Sequence, residues 1–285
     1  MMPNTNPDHI VLNTLAEAVR FFCRHLVSLS GWYQTIDSDG NPTGQEQFFS
    51  YSGFVISIQG VWNFVTAGHI LVDLEEHLQN KTIKVRKYVL VDKFGPDAKS
   101  HDPIPFDYEN APKLPVHDIE LGLDFGLVML SPMYRGLLIA NGIVPVSEEK
   151  WKNIPDDLLN QYIMIGLPQE LIQTRVVKER ENSKIIGSVA PAGIGIERLD
   201  IAPDDMQKTK YPRFVGKLGQ VDKSLVNDIS GMSGGPIIGF NKQWNQYWIV
   251  AVQSSWLPER RITFGCLVSV LAQLVDEMLT GPEPQ

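Results

Sequence analysis

The sequence predicts an all-β protein of antiparallel barrels with one helix near each end. Two observations carry this expectation. Short apolar runs, among them 61–66, 162–167, 237–240 and 247–252, recur between clusters of turn-forming residues. That is the pattern of strands joined by hairpins, not of strands alternating with helices. Apolar residues at helical spacing are confined mainly to the two ends of the chain. With 285 residues, 43% of them hydrophobic and 20% charged, there is enough apolar side chain for one large domain, or for two lobes around one site.

The elements follow in chain order. In the apolar stretch 9–29, Val11, Leu15, Ala18, Val19, Phe22 and Leu26 recur at helical spacing, with Asn6 and Pro7 suited to cap and first position. An amphipathic helix packed on the body is expected; the alternative is a helix that docks a partner. Glu17, Arg20, Arg24 and His25 interrupt the stretch, which excludes a membrane span, and it lacks the basic start and unbroken apolar core of a signal peptide. Residues 31–47, dense in turn formers around Asp37-Ser38-Asp39-Gly40-Asn41-Pro42, read as loop. Residues 48–58 and 61–66 read as strands joined through Gln59-Gly60, 70–77 as a helical turn and 84–91 as a strand. The proline-rich stretch 94–115 reads as a long surface loop or elaborated hairpin, and 127–130 as a buried strand. Residues 131–157, with Pro132, Pro145 and Pro155, suit a crossing between lobes. Strands are expected at 162–167, 171–179, 184–190, 213–215, 237–240 and 247–252. Leu267, Val270, Leu271, Leu274, Val275 and Met278 form the stripe of a closing helix over 267–279.

A net charge of −8 without a Lys/Arg block argues against nucleic acid as a partner. Two distant cysteines, Cys23 and Cys266, are too few for a disulfide framework and indicate buried thiols in a reducing compartment, the cytoplasm; a single bond between them is left open. No His-Glu-x-x-His or Cys-x-x-Cys occurs, so neither a catalytic metal nor another cofactor is expected.

The densest chemical signal is Asp228-Ile229-Ser230-Gly231-Met232-Ser233-Gly234-Gly235-Pro236, directly before an apolar run. Glycines on both sides let a serine sit on a tight turn with its hydroxyl exposed. They also let the N–H groups of Gly231 and Ser233 converge on one small space, where a developing oxyanion would be held. A serine needs a base. Upstream, Thr66-Ala67-Gly68-His69 ends one apolar run, and Asp124-Phe125-Gly126-Leu127 heads another. Taken alone, the serine string fits a glycine-rich hairpin and His69 a core histidine; together they stand in the order His, Asp, Ser. Asp118 is the rival for the acid, but only Asp124 directly precedes the buried run.

At these three motifs, over about residues 48–278, the sequence resembles the trypsin-like (chymotrypsin-fold) serine peptidases, in a bacterial, non-zymogen form. The resemblance implies two antiparallel six-stranded barrels with the site in the cleft between them. Residues 1–47 would be an N-terminal helix and loop extension and 48–285 the peptidase domain. Lobe one would span about 48–135, lobe two about 158–266 and the C-terminal helix about 267–279. It implies a serine endopeptidase with His69, Asp124 and Ser233 as triad and Gly231 and Ser233 as oxyanion hole, acting on peptide or protein substrates with no membrane role. Ser254, Ser255, Trp256 and Leu257 match the strand that pairs with bound peptide, and Asn227 and Asp228 the pocket floor. Two departures matter. Met232 replaces the acid that pairs with a freshly cut N-terminus in zymogen-activated members, so the uncut chain should be competent or be switched by a protein partner. Leu257 stands where glycine is common, and with Asp228 suited to capping its turn, it favours a small or medium apolar side chain before the scissile bond over a basic one. The alternatives are a silent peptide-binding module on the same scaffold and an esterase or other acyl transferase using the same triad.

Overall fold

The computed structural model describes residues 14–98, 102–179, 182–200, 208–219, 226–241 and 246–280. A helix, α1 (Leu15–Phe22), precedes β1 (Leu26–Ile36), β2 (Pro42–Ile58) and β3 (Val61–Thr66). Then come α2 (Gly68–Gln79), β4 (Ile83–Val91), β5 (Ile104–Pro105), β6 (Lys113–Asp118), β7 (Leu123–Met129) and α3 (Pro132–Ala140). The second half holds β8 (Gln161–Gly166), β9 (Gln173–Glu179), β10 (Asn182–Ser188), β11 (Ala192–Arg198), β12 (Arg213–Leu218), β13 (Pro236–Phe240), β14 (Tyr247–Leu257), β15 (Ile262–Leu267) and α4 (Val268–Thr280).

The second half closes one six-stranded barrel in the order β11-β12-β15-β14-β13-β8, with β9 and β10 as a separate hairpin. The first half forms a seven-stranded sheet in the order β5-β4-β1-β2-β3-β7-β6. No ladder among the described residues joins its edges β5 and β6, so the expected pair of six-stranded barrels is met by one closed barrel and one larger sheet. The reason lies in the region read as loop. Residues 26–36 and 42–58 pair as one long hairpin, Leu26 with Phe54 through to Ile36 with Pro42, and the turn formers Asp37 to Asn41 occupy only its tip. β1 therefore enters the middle of the sheet, between β2 and β4.

The N-terminal helix is present but shorter than the apolar periodicity suggests. Thr14 caps it in a capping box with Glu17, the chain turns at Cys23–His25, and Leu26 already belongs to β1. Asn6, Pro7 and Val11 lie outside the described residues. Its apolar face packs on the body: Ala18 and Phe22 are buried, and Val19 lies so close to Gly193 of β11 that a Cβ there would come within 2.2 Å of it. One hydrophobic cluster joins α1 to both halves, with Phe54, Val65 and Phe125 from the sheet and Ile163, Ile165, Ile238 and Val252 from the barrel. Across the connection between the halves, Val146 exchanges hydrogen bonds with Val55 and Ser57, and the wholly buried Trp151 donates to Ser57 O. Both cysteines are buried and unpaired. No helix among the described residues is long and apolar enough to cross a membrane.

Because Phe22 stacks on Phe240 and meets Tyr247 edge-on, truncating it opens a cavity where helix, sheet and barrel meet. Phe22→Ala is expected to cost about 3–5 kcal/mol, measured as a lowered urea midpoint; a loss below about 1 kcal/mol would show that α1 adds little to the common core.

Candidate active site

His69 sits in the first turn of α2, straight after β3 ends at Thr66. Gly68 makes this possible, because a Cβ there would lie 2.1 Å from Val116 O and 2.9 Å from Phe125 N. Without that bulk the helix start rests directly on the β6–β7 hairpin, which carries Asp124. The Asp124 carboxylate, 4% exposed, is a buried charge that needs donors. It has several. Oδ1 accepts the His69 backbone N–H at 2.7 Å, Oδ2 faces His69 Nδ1 at 2.8 Å, and Ser254 Oγ donates to Oδ2 at 2.6 Å. His117 Nδ1 stands 3.3 Å from Oδ1. Burial works against charge on both members of the His69–Asp124 pair. For His69 it is outweighed by the hydrogen bond and charge of Asp124 and by the more distant Asp73, so its pKa is raised above 6.5. For Asp124, His69 and Ser254 prevail and the pKa is lowered.

Ser233 lies on the loop before β13. Gly231 and Gly234 hold φ of 88° and 87° there, conformations that other residues rarely adopt. Asp228 Oδ1 accepts Ser230 N–H at 2.7 Å, Gln169 N–H donates to Ser230 O at 2.7 Å, and Gly234 N–H donates to Gln253 O at 2.8 Å. Among the described residues, no hydrogen bond uses the N–H of Gly231 or of Ser233. The loop abuts the strand end that carries His69: a Cβ on Gly234 would lie 2.1 Å from Thr66 Oγ1 and 2.5 Å from Ser52 O. Ser52 of β2 ties the two together, taking a hydrogen bond from Leu167 N–H and giving one to Gly231 O, each at 2.8 Å. Ser233 Oγ–H points to Ser254 O at 3.1 Å. No hydrogen bond between Ser233 and His69 is among those described; such contacts commonly tighten only around a substrate.

The other residues singled out from the sequence divide. Asn227 and Asp228 are exposed; Asp228 caps its turn, and both N–H groups face Glu170. Ser255, Trp256 and Leu257 continue β14 past Ser254, with Ser255 and Leu257 exposed. Asp118 is not among the hydrogen-bond partners of His69; its Oδ1 accepts Leu121 N–H in the hairpin turn. Two neighbours of Asp124 are not expected beside it from the sequence, although Ser254 is expected in the peptide-pairing strand. His117 is the direct cross-strand partner of Asp124 in the β6–β7 ladder, so a hairpin drawn around Gly122 would have placed both on one face. Ser254 owes its inward position to an irregularity of the β14–β15 register between Gln253 and Ser255, which no local pattern announces. Arg213 of β12 reaches the hydroxyls of Ser254 and Ser255. A cleft of about 500 Å³ opens beside the pair, lined by His69, Asp73, His117, Asp118, Asp124 and Arg213 among others. His69, His117 and Asp124 are grouped closely enough to hold a metal ion.

No family model matches the sequence, and no curated protein matches it. Among solved structures, the chain is similar to the inactivated protease paralogue S-D1 of the scabies mite, at 10% identity over 92% of this chain and 95% of that one, with a TM-score of 0.45.

The arrangement makes a prediction about His69 itself. Its imidazole should titrate above 6.5 in the native protein, followed by NMR. In Asp124→Asn the opposing burial remains without the carboxylate, and the midpoint should fall below that of the native protein. Linkage gives the sign for stability: the His69 contribution is full below 6.5 and fades as pH rises through the raised value. An unchanged midpoint in Asp124→Asn would show that the pair is not formed in solution.

Proposed function

We propose that the chain is a serine endopeptidase working through Ser233, His69 and Asp124. The observation that carries this reading is the 2.8 Å Nδ1–Oδ2 contact of His69 with Asp124, made where the Ser233 loop meets the strand end bearing His69. Ser233 Oγ attacks a peptide carbonyl and its proton passes to His69 Nε2, while the Nδ1 proton stays on the ring, hydrogen-bonded to the Asp124 carboxylate, which fixes the tautomer. The unused N–H groups of Gly231 and Ser233 take the oxyanion. His69 then protonates the leaving amine, and water releases the acyl group by the same route in reverse. Peptide would lie along Ser255 to Leu257, with Asn227 and Asp228 near the first pocket. The reading includes a reducing, cytoplasmic setting, supported by the two unpaired buried thiols. A second reading, a silent peptide-binding module, is favoured by one observation: the Ser233 hydroxyl is directed at Ser254 O.

A fluorophosphonate probe separates the two. Labelling of the native chain and not of Ser233→Ala is expected, with turnover losses of about 10⁴-fold or more in Ser233→Ala, His69→Ala and Asp124→Asn that do not add when combined. Absence of labelling in every condition selects the binding module, and loss in Asp118→Asn with retention in Asp124→Asn moves the acid to Asp118. On the native chain, an unbiased peptide library should show cleavage after small or medium apolar residues.

Activation is the second test. Met232 is wholly buried, in a cluster with Met164, Ile229 and Ile237, so its side chain anchors the turn without an ion pair. The intact chain should turn over, and removal of residues 1–6 should change the rate less than about twofold, since a hydrophobic anchor is independent of a new terminus. An inert full chain that gains activity on a cut before Phe48 would overturn this.

A further inference from the structure

We propose that His69, His117 and Asp124 form a binding site for a single zinc-class transition-metal ion, and that the ion, once bound, switches the site off. The inhibitory half rests on the peptidase reading; the binding half does not. The two histidines meet the two oxygens of one carboxylate, His69 Nδ1 at 2.8 Å from Oδ2 and His117 Nδ1 at 3.3 Å from Oδ1. Ligand atoms of the three residues all lie within 4.8 Å of one another. Zinc–nitrogen bonds of about 2.0–2.1 Å set tetrahedral donors ~3.4 Å apart, so closure on an ion asks for shifts of roughly an ångström. The site permits them: His117 is on an edge strand, and both imidazoles are 29% exposed to the cleft from which an ion would enter. Two nitrogens and a carboxylate with room for water are a donor set suited to zinc or copper. The charge around it is favourable too, because Asp73 and Asp118 line the same cleft against one Arg213. Ser254, donating to Oδ2, would orient the carboxylate from behind.

The consequence follows from where the proton goes. A metal on His69 Nδ1 takes the lone pair that holds the proton shared with Asp124; that proton leaves to solvent while Nε2 takes one up from solvent, so the ring stays neutral. Its single proton is then on Nε2. That nitrogen has no lone pair left for the Ser233 proton, so the metal and the nucleophile compete through one ring. The ion is thus an inhibitor and not a cofactor, and its grip depends on His117, a residue outside the proposed triad.

The test titrates zinc chloride into the Ser233→Ala protein by calorimetry, which needs no turnover. One ion per chain is expected. His117→Gln in the same background should weaken binding at least ~10-fold, and His77→Gln, at an exposed histidine elsewhere, should not. Circular dichroism melts check that each variant is folded, and His117→Asn serves if His117→Gln is not. Where Ser233 is intact, zinc should inhibit turnover reversibly on adding EDTA, with the inhibition constant raised by the same factor in His117→Gln, each protein referred to its own metal-free rate. Equal binding in the His117 and parent proteins, or no stoichiometric binding up to millimolar zinc, overturns the proposal. Binding that depends on His117 in a chain that cleaves nothing would support the site and defeat the peptidase reading instead.

Discussion

The close seating of the Ser233 loop on the end of β3 is the constraint from which the rest of the site follows. Gly234 has no side chain because Thr66 Oγ1 and Ser52 O fill the space where a Cβ would stand. Ser52, on the sheet, then joins it to two segments of the second half, its hydroxyl accepting from Leu167 N–H and donating to Gly231 O. A buried hydroxyl satisfied on both sides resists displacement, since moving either partner strands a polar group away from water. The loop and the histidine are therefore located by one set of contacts, and the hydrophobic cluster shared between sheet and barrel holds those contacts in place.

Asp124 shows how such a site tolerates a buried charge. A carboxylate this deep would be neutral without donors, yet it receives a backbone N–H and an imidazole from His69 and a hydroxyl from Ser254, two segments far apart in the chain. Each is also a positional restraint, so the electrostatic requirement and the geometric one are met by the same groups. Contrast His25, far more deeply buried than His69 and set between Val144 O and Tyr247 Oη, with Arg24 nearby. There burial and Arg24 prevail and push its pKa down to about 3. The two histidines differ in charge preference because one, partly exposed, faces a carboxylate and the other is wholly buried beside an arginine.

How much of this was legible depended on the range of the signal. The glycine pattern around Ser233 and the string Thr66-Ala67-Gly68-His69 encode backbone demands that only certain residues meet, and they mark their own positions. The turn residues Asp37 to Asn41 were legible as a turn, but they drew the polar strand residues around them into the same reading, so β1 and the start of β2 were lost. Helix α3 was hidden by its leading proline, which starts that helix rather than breaking it. β11 and β15 alternate weakly in part because Gly193 and Gly265 replace side chains where neighbours crowd. His117 and Ser254 depend on cross-strand register, a property of pairs of strands that a single pass along the chain does not contain.

Met232 carries the argument about control one step further. A buried ion pair holds a turn only while both partners are present, and losing one leaves an uncompensated charge. A methionine with no exposed surface, packed against Ile229, Met164 and Ile237, holds it by excluded water and by contacts that require no second event. The same substitution removes a point at which cleavage of the chain would be felt at Ser233. Control of the proposed activity is then left to what reaches the cleft from outside, and the ionisable groups facing that cleft include His69, His117, Arg213 and a set of carboxylates. Their chemistry suits ions and polar ligands. It places any switch on the His69–Asp124 pair, upstream of the nucleophile, where a small change in which atom holds a proton decides whether the ring can act as a base.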